Sequence, residues 1–596
     1  MAPAGGTAGP WARFDDLRGG EALLCPPPHR VLTATRPEEV AGVLQEVHEA
    51  TEAGSWAYGY VAYEAASGLD PRLPGGAGAG QPPLVWFGLC DEPARTSPVT
   101  AGAPTDLPSW RPDWTDHEHA RAVAAVREHI AAGETYQCNL TDRLRASLVG
   151  DPFALYTRLA LAQRGAHNAY LDLGRHVVAS ASPELFFEWV GDEVRTRPMK
   201  GTAPRGRTTA EDELVARELR ASAKEQAENL MIVDLLRNDL GRVAEIGSVV
   251  VDELFALERY PTVWQLTSQI SARLRPEVGL LELFRALFPC GSVTGAPKQR
   301  TMQLIGDLEP SPRGVYCGAV GLVAPPTAPF RARFSVAIRT AEVDRATGEA
   351  GYGAGGGITW GSDAAAERAE LHAKAAVLAH DPEEHRLVET LAFLPATGLR
   401  SRDRHLARLA DSAAYFGFRF DRDAVLAAAG HALAEPSGPA RVRILLDRSG
   451  DVAVEVGELP PSVSGPVRLV VDDDPVDSTS PWLQHKTTRR EPYVTRALRH
   501  PEADDVVLVN ERGELTETTI ATLAVRLDGR WWTPPTASGC LPGVERARLL
   551  DLGRLHERVL HVEDLAAADG LAVLNSLRGW RTAALLDRSP LLPTPS

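Results

Sequence analysis

Lys200 is the residue whose setting most clearly suggests chemistry. It stands in Arg197-Pro-Met-Lys-Gly-Thr202, between an apolar residue and a Gly-Thr turn. Glycine lets a ligand approach the backbone closely, and a lysine in a dry site can lose its proton and act as a nucleophile. Most lysines are solvated, so the neighbouring motifs decide what this one does.

Two pairs of glutamates could hold a cation. Glu225 and Glu228 are three residues apart in a segment with helical periodicity, 208–241, and therefore share one face of the helix. Glu367 and Glu370 repeat this spacing in a second helical segment. Such pairs are common on solvated helices. Four convergent carboxylates, however, would repel one another unless a hard cation lay between them, and oxygen ligands suit Mg²⁺.

Other motifs follow one another in order through the first 380 residues. They are Ser180-Ala-Ser-Pro-Glu184, Cys290-Gly-Ser-Val-Thr294-Gly-Ala-Pro-Lys298, Ala337-Ile-Arg339-Thr340 and Gly353-Ala-Gly-Gly-Gly357. With Lys200 and the glutamate pairs, they resemble the chorismate-utilising enzymes, most closely the branch of aminodeoxychorismate synthase component I. The resemblance implies an α/β (α+β) fold over residues 1–380: a large chorismate-binding β-sandwich flanked by helices.

The resemblance also implies which residues hold the metal and the substrate. The implied metal residues are the direct Mg²⁺ ligands Glu228 and Glu370 and the outer-shell Glu225 and Glu367. Arg339 offers a planar bidentate fork to a substrate carboxylate, and Lys374 lies one helical turn beyond Glu370. The implied substrate contacts are Thr202, Thr294, Tyr316, Arg339, Lys374 and the backbone of Gly355, Gly356 and Gly357.

Two positions separate the members of this family. Isochorismate and salicylate synthases carry a water-activating lysine where this chain has Gln137, and anthranilate synthases have alanine where it has Lys200. Gln137 with Lys200 therefore indicates amination of chorismate at C4. Lys200 would attack ring C2 as the C4 hydroxyl leaves with a proton from Glu184, and ammonia would then expel the lysine. One departure is Gln265, where many relatives carry a histidine.

The sequence predicts no glutaminase activity. That chemistry needs a cysteine nucleophile on a tight, Gly-flanked elbow. The nearest candidate, Gly539-Cys540-Leu-Pro-Gly543, has different spacing and contains a proline. Ammonia is therefore expected from a separate glutamine amidotransferase subunit or from solution.

A second set of motifs begins after a polar, proline-containing boundary at Ala379–His385. It comprises His405-Leu-Ala-Arg408, His485-Lys486-Thr-Thr, Glu517-Thr518-Thr519 and Leu541-Pro-Gly-Val544. This set resembles the fold-type IV pyridoxal-phosphate (PLP) enzymes, most closely 4-amino-4-deoxychorismate lyase. The resemblance implies a two-lobed domain over residues 386–596.

Pyridoxal phosphate needs a lysine for its Schiff base, an acidic partner for its ring nitrogen and a binding site for its phosphate. Lys486 and Glu517 are expected to supply the first two. The expected phosphate ligands are Arg408, Thr518, Thr519 and the backbone around Val544. Thr390 is expected to assist proton transfer beside Lys486.

Together the two patterns predict a bifunctional enzyme that makes 4-aminobenzoate from chorismate. The second domain would eliminate pyruvate, since a lyase there uses the first domain's product directly. Aminotransferases share the fold-type IV scaffold, so an anthranilate-type synthase fused to such an aminotransferase is the alternative enzyme. A non-catalytic scaffold that binds an amidotransferase is the alternative from another class. The sequence leaves open whether the product serves folate synthesis or a specialised metabolite, and whether the chain is a homodimer through its PLP domain.

Composition restricts the remaining possibilities. The 596 residues are enough for about two to four domains, and the net charge of -16 argues against a general nucleic-acid binder. The six cysteines are scattered with no CxxC pair, which is typical of reduced thiols in the cytoplasm. No stretch approaches the roughly 18 apolar residues of a membrane span, and no signal peptide is indicated. We therefore expect a cytoplasmic enzyme.

Overall fold

The computed structural model describes residues 9–75, 82–102, 108–379, 384–434, 438–461 and 465–586. The chain divides into two compact units, one formed by Met1–Arg205 with Ala216–Glu383 and the other by Gly206–Val215 with Glu384–Ser596. The division after Glu383 falls in the predicted boundary segment, of which 380–383 lie outside the described residues. No sequence signal predicts that Gly206–Val215 groups with the second unit.

Antiparallel strands make up most of the first unit. Its strands are β1 (Trp11–Asp16), β2 (Glu21–Cys25), β3 (Arg30–Ala34), β4 (Trp56–Val61), β5 (Val85–Cys90), β6 (Ala94–Thr96), β7 (Arg111–Pro112), β8 (Gln137–Ser147), β9 (His167–Asp172), β10 (His176–Ser182), β11 (Leu185–Val190), β12 (Glu193–Arg197), β13 (Met199–Pro204), β14 (Val250–Arg259), β15 (Val263–Arg273), β16 (Gly295–Ala296), β17 (Ala319–Val323), β18 (Ala332–Val336), β19 (Thr340–Asp344) and β20 (Glu349–Ile358). Its helices are α1 (Pro37–Glu52), α2 (Ala66–Leu69), α3 (Asp116–Ala131), α4 (Pro152–Gln163), α5 (Thr209–Ala221, whose first residues group with the second unit), α6 (Ala223–Gly241), α7 (Leu280–Leu287), α8 (Lys298–Leu308) and α9 (Ala364–Ala375).

These strands form two sheets. The first has the order β16-β8-β20-β19-β10-β9-β1-β2-β6, with β7 also paired to β8. The second has the order β13-β15-β12-β11-β18-β17-β4-β5-β3, with β14 also paired to β15. In both sheets the order departs from the chain order, so residues distant in sequence become neighbours.

The two sheets pack face to face around one hydrophobic core. Ala12 and Leu171 of the first sheet and Tyr58, Tyr60 and Trp86 of the second belong to the same buried cluster. Helices α1, α6 and α7 cover the outer face of the second sheet, and α4 and α9 cover that of the first. Apolar residues on both faces of each sheet explain this layering. The predicted β-sandwich flanked by helices is confirmed.

The helical segment predicted over 208–241 is two helices in the structure. The backbone of Ser222 is extended and separates α5 from α6. The Ser222 side chain accepts a hydrogen bond from the N–H of Glu225. This bond satisfies one of the free N–H groups at the start of α6. The helix that carries Glu225 and Glu228 therefore begins at its own cap.

The second unit has two lobes. Its strands are β21 (Leu387–Leu394), β22 (Gly398–Leu399), β23 (Ala440–Leu446), β24 (Val452–Glu458), β25 (Val467–Val471), β26 (Asp505–Val509), β27 (Leu515–Thr518), β28 (Thr522–Leu527), β29 (Arg530–Thr533), β30 (His556–Glu557), β31 (Gly570–Asn575) and β32 (Gly579–Leu585). Its helices are α10 (Arg402–Phe416), α11 (Arg422–Ala432), α12 (Glu491–Arg499), α13 (Val544–Asp551) and α14 (Val562–Ala567).

One lobe is the four-stranded sheet β22-β21-β23-β24, packed with α10 and α11. The other is the eight-stranded sheet β27-β26-β25-β32-β31-β28-β29-β30. Each lobe has a hydrophobic cluster of its own. The predicted two-lobed architecture is confirmed. Across the described ranges of both units, no helix has the length and apolar character needed to cross a bilayer.

Phe284 on α7 offers a test of the packing in the first unit. Its ring contacts those of Phe187 and Phe334 at centroid distances of 5.6 and 5.1 Å, and the residue is fully buried. Phe284→Ala should lower the free energy of unfolding by about 3–5 kcal/mol, measured by chemical denaturation. The control Val149→Ala, at a position 92% exposed, should change it by less than about 0.5 kcal/mol. Equal effects of the two changes would contradict this account of the core.

Candidate active sites

Lys200 lies at a bulge in the second sheet. Strand β13 pairs with β15 on both sides of this position, but the register shifts between Met199 and Thr202, so β13 carries one extra residue there. Gly201 has a φ of +101°, which side chains other than hydrogen rarely permit. A bulge re-aims the side chain at the irregularity. Here it directs Lys200 into a cavity at the sheet edge.

Helix α6 holds this bulge in place. Asn229 Nδ2 donates to the carbonyl of Lys200 at 3.2 Å, and Ser268 Oγ donates to Asn229 Oδ1 at 2.6 Å. Both Asn229 and Ser268 are buried. The backbone of Lys200 is therefore tied to the same helix that carries Glu225 and Glu228.

The structure brings most of the predicted residues together around this one cavity. Its lining includes Glu184, Lys200, Thr202, Glu225, Glu228, Tyr316, Arg339, Gly355, Glu367, Glu370 and Lys374. Two predicted contacts differ. The Thr294 hydroxyl instead donates to the carbonyls of Cys290 and Gly291, as in a local turn. Gly356 is not in the lining, although a Cβ there would lie 3.0 Å from Glu367 Oε2.

Gln137 and Lys200 flank Gly357. A Cβ added to Gly357 would lie 2.2 Å from Lys200 Nζ and 2.4 Å from Gln137 Nε2. Any side chain at 357 would therefore displace the amine. The pairing of β8 with β20 brings Gln137 close to Gly357, and Lys200 approaches the same glycine from β13. The two residues on which the predicted amination depends, Gln137 and Lys200, are therefore neighbours.

Glu184 and Lys200 have pKa values displaced toward each other. Burial lowers the pKa of Lys200, and the charge of Glu228 partly opposes this. Burial raises the pKa of Glu184 to about 7. Near neutral pH, Glu184 can therefore hold a proton while a larger share of Lys200 is a neutral amine than in water. This combination suits an acid and a nucleophile.

Ser292 lies within the Cys290–Lys298 motif, but the sequence did not predict its contact with Glu184. Its hydroxyl donates to Glu184 Oε1 at 2.6 Å, and Cys290 Sγ lies 3.9 Å from the same oxygen. Gln265, the departure noted in the sequence, accepts a hydrogen bond from Thr202 Oγ1 at 3.1 Å. Both contacts join segments far apart in the chain, so only the fold reveals them.

The glutamate pairs are balanced by lysines. Lys374 lies 2.7 Å from Glu370 Oε1, and Lys224 lies 3.9 Å from Glu228 Oε1. No three His, Cys, Asp or Glu side chains within the described ranges lie close enough to enclose a metal ion. Mg²⁺ commonly uses only one or two carboxylates and completes its shell with waters and substrate. Glu228 on α6 and Glu370 on α9 line the same cavity and fit that requirement.

Arg339 is a buried cation without a carboxylate partner among the described residues. It is 8% exposed, lines the cavity, and adopts a φ of +53°. A non-glycine residue in this conformation is strained, and such strain concentrates at functional sites. A buried guanidinium is costly unless an anion meets it. The cavity therefore suits an anionic ligand.

The second unit has its own cavity around Lys486. Its lining includes every residue predicted for this unit: Thr390, Arg408, Lys486, Glu517, Thr518, Thr519 and Val544. Burial, followed by the charge of Arg408, lowers the pKa of Lys486 to about 8. Burial raises the pKa of Glu517 to about 7. A lysine amine that deprotonates readily and a buried carboxyl group fit the two ends of a pyridoxal ring.

Arg408 is held beside this cavity by an ion-pair network. Its Nε and Nη2 donate to Glu389 at 2.8 and 2.7 Å, and His405 Nδ1 lies 2.6 Å from Glu389 Oε2. Its Nη1 donates to the carbonyl of Pro542 at 3.2 Å, just before α13. Arg408 therefore lies next to the open N-terminus of α13, where N–H groups attract a phosphate.

Thr518 and Thr519 line the cavity, but their hydroxyls point elsewhere. Thr518 Oγ1 donates to Asp505 Oδ2 at 2.6 Å, and Thr519 Oγ1 donates to Asp505 Oδ1 at 2.5 Å. As these bonds stand, neither hydroxyl is available to a phosphate. Asp505 lies 13 residues before Thr518 and 14 before Thr519, and no motif in the sequence points to it.

Comparison with known proteins agrees with this geometry. Residues 27–380 match the model of the chorismate binding enzymes, and residues 386–586 match amino-transferase class IV. The chain belongs to the chorismate binding enzyme family. The resemblances inferred from the motifs of both halves are thereby confirmed.

Two curated relatives illustrate the family. Aminodeoxychorismate synthase component 1 of Klebsiella aerogenes is 39% identical over 300 residues, covering 50% of this chain and 64% of the relative. Anthranilate synthase component 1 of Streptomyces coelicolor is 44% identical over 286 residues, covering 47% and 55%. The chain thus spans less than two thirds of the length of either. Identity alone does not choose between these two activities.

A solved structure supports the fold. Anthranilate synthase component I from Streptococcus pneumoniae matches with a TM-score of 0.53 and 24% identity, covering 64% of this chain and 95% of that one. At this level of identity the match establishes the family fold of the first unit and nothing about its substrate.

The contact between Ser292 and Glu184 predicts a change in pH dependence. The hydroxyl stabilises the ionised carboxylate, so Ser292→Ala should raise the pKa of Glu184 by about one unit. Turnover that needs protonated Glu184 should then persist to higher pH, measured as the midpoint of the alkaline limb of kcat/KM. Ser292→Thr keeps the hydroxyl and should retain the original midpoint. Superimposable profiles for Ser292→Ala and the unchanged protein would contradict this role.

Proposed function

We propose that this chain makes 4-aminobenzoate from chorismate in two steps, amination in the first unit and pyruvate elimination in the second. The observation that carries the proposal is the position of Lys200 in a cavity with Glu184 and Arg339, with Gln137 close to Lys200 at Gly357. A nucleophilic amine, an acid and an anion site are the groups that amination of a dicarboxylate at C4 requires.

In the first step, Lys200 acts as the nucleophile. Its neutral amine forms a bond to ring C2 as the ring double bond shifts and the C4–O bond breaks, and Glu184 gives the departing hydroxyl its proton so that water leaves. Ammonia then forms the C4–N bond, the C2–N bond to Lys200 breaks, and a proton from the incoming nitrogen restores Glu184. The displaced pKa values of the two residues support these roles.

The substrate carboxylates need positive charge. Arg339 supports one carboxylate through its bidentate fork. Mg²⁺, held by Glu228 and Glu370 with Glu225 and Glu367 behind them, would supply charge for the other. Lys374, whose Nζ donates to the carbonyl of Gly355 at 2.8 Å, would keep the glycine strand against the ligand.

In the second unit, Lys486 and Glu517 would serve a bound pyridoxal phosphate. The cofactor supplies an electron sink for loss of a ring-carbon proton and release of pyruvate. Lys486 would hold the cofactor and move that proton, with Thr390 beside it. Glu517 would keep the ring nitrogen protonated. The N-terminus of α13 at Val544 and the guanidinium of Arg408 support a phosphate site, with the backbone at Thr518 and Thr519 nearby.

Ammonia would come from a separate glutamine amidotransferase. Cys540, the nearest candidate for a glutaminase nucleophile, has a buried thiol that donates to the carbonyl of Pro535, and burial raises its pKa to about 12. Such a thiol carries almost no thiolate near neutral pH. The name component 1 of the Klebsiella aerogenes relative also supports a separate partner.

A second candidate is an anthranilate-type synthase fused to an aminotransferase. It is favoured by the 44% identity to anthranilate synthase component 1 of Streptomyces coelicolor. Lys200 argues against it, because anthranilate formation has no need of an amine at this position.

Two lysine variants test the proposal. Purified protein given chorismate, Mg²⁺, ammonium and pyridoxal phosphate should produce 4-aminobenzoate, identified by mass analysis and retention time. Lys200→Ala should lower consumption of chorismate by at least about a hundredfold, because a covalent nucleophile is lost. Lys486→Ala should still consume chorismate but accumulate the aminated, pyruvate-bearing intermediate.

Outcomes of the same assay separate the two candidates. Formation of 2-aminobenzoate would establish the anthranilate-type synthase instead. Unchanged formation of 4-aminobenzoate by Lys200→Ala would overturn the proposal that Lys200 is the nucleophile. Added small primary amines should partly restore Lys200→Ala, since the cavity that the side chain leaves can admit them. Equal melting temperatures of the variants and the unchanged protein provide the control for folding.

A further inference from the structure

Tyr493 lies in the wall of the second cavity and has no part in the reaction proposed above. It stands on α12, is 9% exposed, and packs with Val476, Leu483 and Leu508. Arg490 Cζ lies over its ring at 5.0 Å from the centroid. This packing restricts the ring, so the direction of its hydroxyl is fixed.

That hydroxyl is directed at Glu517. Tyr493 Oη donates to Glu517 Oε1 at 2.9 Å, and the N–H of Leu541 donates to the same oxygen at 3.2 Å. In the part of the chain that the structure describes, no donor reaches the other oxygen, Oε2. Glu517 and Lys486 line the same cavity. The carboxyl group is thus held by one oxygen and offers the other to whatever the cavity binds.

We infer that Tyr493 is a positioning residue, which holds Glu517 through Oε1 so that Oε2 meets the ring nitrogen of the bound cofactor. This inference rests on the proposed pyridoxal-phosphate site. Tyr493 acts through Glu517 and needs no contact with the cofactor itself. A residue in this position controls the direction of the Glu517 carboxylate. It also controls whether the proton shared by Glu517 and the ring nitrogen stays on the ring nitrogen.

The charges around Glu517 set the direction of the effect. The groups that face it are Tyr493, Lys486, Arg490 and Cys540. Burial dominates and raises the pKa of Glu517, and the hydrogen bond from Tyr493 is the first of the contributions that oppose it. Without that bond, Glu517 becomes the stronger base and takes the shared proton from the ring nitrogen. A Glu517 carboxylate that is no longer held in one orientation would also stabilise the protonated ring nitrogen less well.

Proton loss at the ring nitrogen changes the cofactor spectrum. A protonated ring withdraws electrons from the nitrogen that links the cofactor to Lys486 and lowers its affinity for a proton. In Tyr493→Phe that withdrawal weakens, so the linking nitrogen should keep its proton to higher pH. The pH midpoint of the visible absorbance band of the full-length, cofactor-loaded protein should rise by about one unit, the size expected for one hydrogen bond to a charged group.

The control variant is Val476→Ala. Val476 packs in the same cluster as Tyr493 but donates no hydrogen bond to Glu517, so its truncation should lower stability and leave the midpoint unchanged. An equal shift in both variants would mean that Tyr493 acts only through packing and would overturn the inference. So would a normal band with an unshifted midpoint in Tyr493→Phe, while the proposed function would stand. Failure of the unchanged protein to show any cofactor band would overturn both.

Discussion

Burial away from bulk water determines the pKa values of the key ionisable groups in both cavities. Desolvation disfavours the charged form of every group, so it lowers the pKa of a lysine and raises that of a glutamate. In the first unit it acts on Lys200 and Glu184, and in the second it acts on Lys486 and Glu517. In each unit the pKa values of a lysine and a glutamate thus move toward neutral pH. The lysine can then supply a neutral amine, and the glutamate can hold a proton. Neither function would survive exposure of the same side chains on a surface.

The scaffold supplies this environment by long-range pairing. Lys200 reaches its cavity because β13 bulges against β15, and Asn229 from α6 holds the bulge. Gln137 and Gly357 meet because β8 pairs with β20, more than two hundred residues later in the chain. Close packing within the two ten-stranded sheets favours a fixed arrangement of such contacts, which acid and nucleophile chemistry requires.

Much of this was predictable from the sequence, because family motifs place chemistry-bearing residues at strand ends and on helix faces. The sandwich, the two-lobed second unit and the convergence of the glutamates with Lys200 follow from such motifs. What the sequence did not predict depends on contacts between distant segments. Ser292 meets Glu184 across 108 residues, and Tyr493 meets Glu517 across 24. The break at Ser222 was missed because helical periodicity continues across it, whereas the extended backbone of Ser222 interrupts the helix and its side chain caps the start of α6.

In the proposed reaction, selection between nitrogen and oxygen would follow from what the first cavity lacks as well as from what it holds. Water is a weak nucleophile unless a base removes its proton, whereas neutral ammonia holds its lone pair less tightly and attacks without prior deprotonation. Gln137 stands beside Lys200 and has no basic atom, and burial raises the pKa of Glu184 to about 7. Lys200 itself, once bonded to the ring, can no longer act as a base. In that reaction Glu184 has given up its proton when the second nucleophile enters, and it takes one back from the incoming nitrogen. The proposed preference for nitrogen therefore depends on the stronger nucleophilicity of ammonia and on the absence of a base at Gln137.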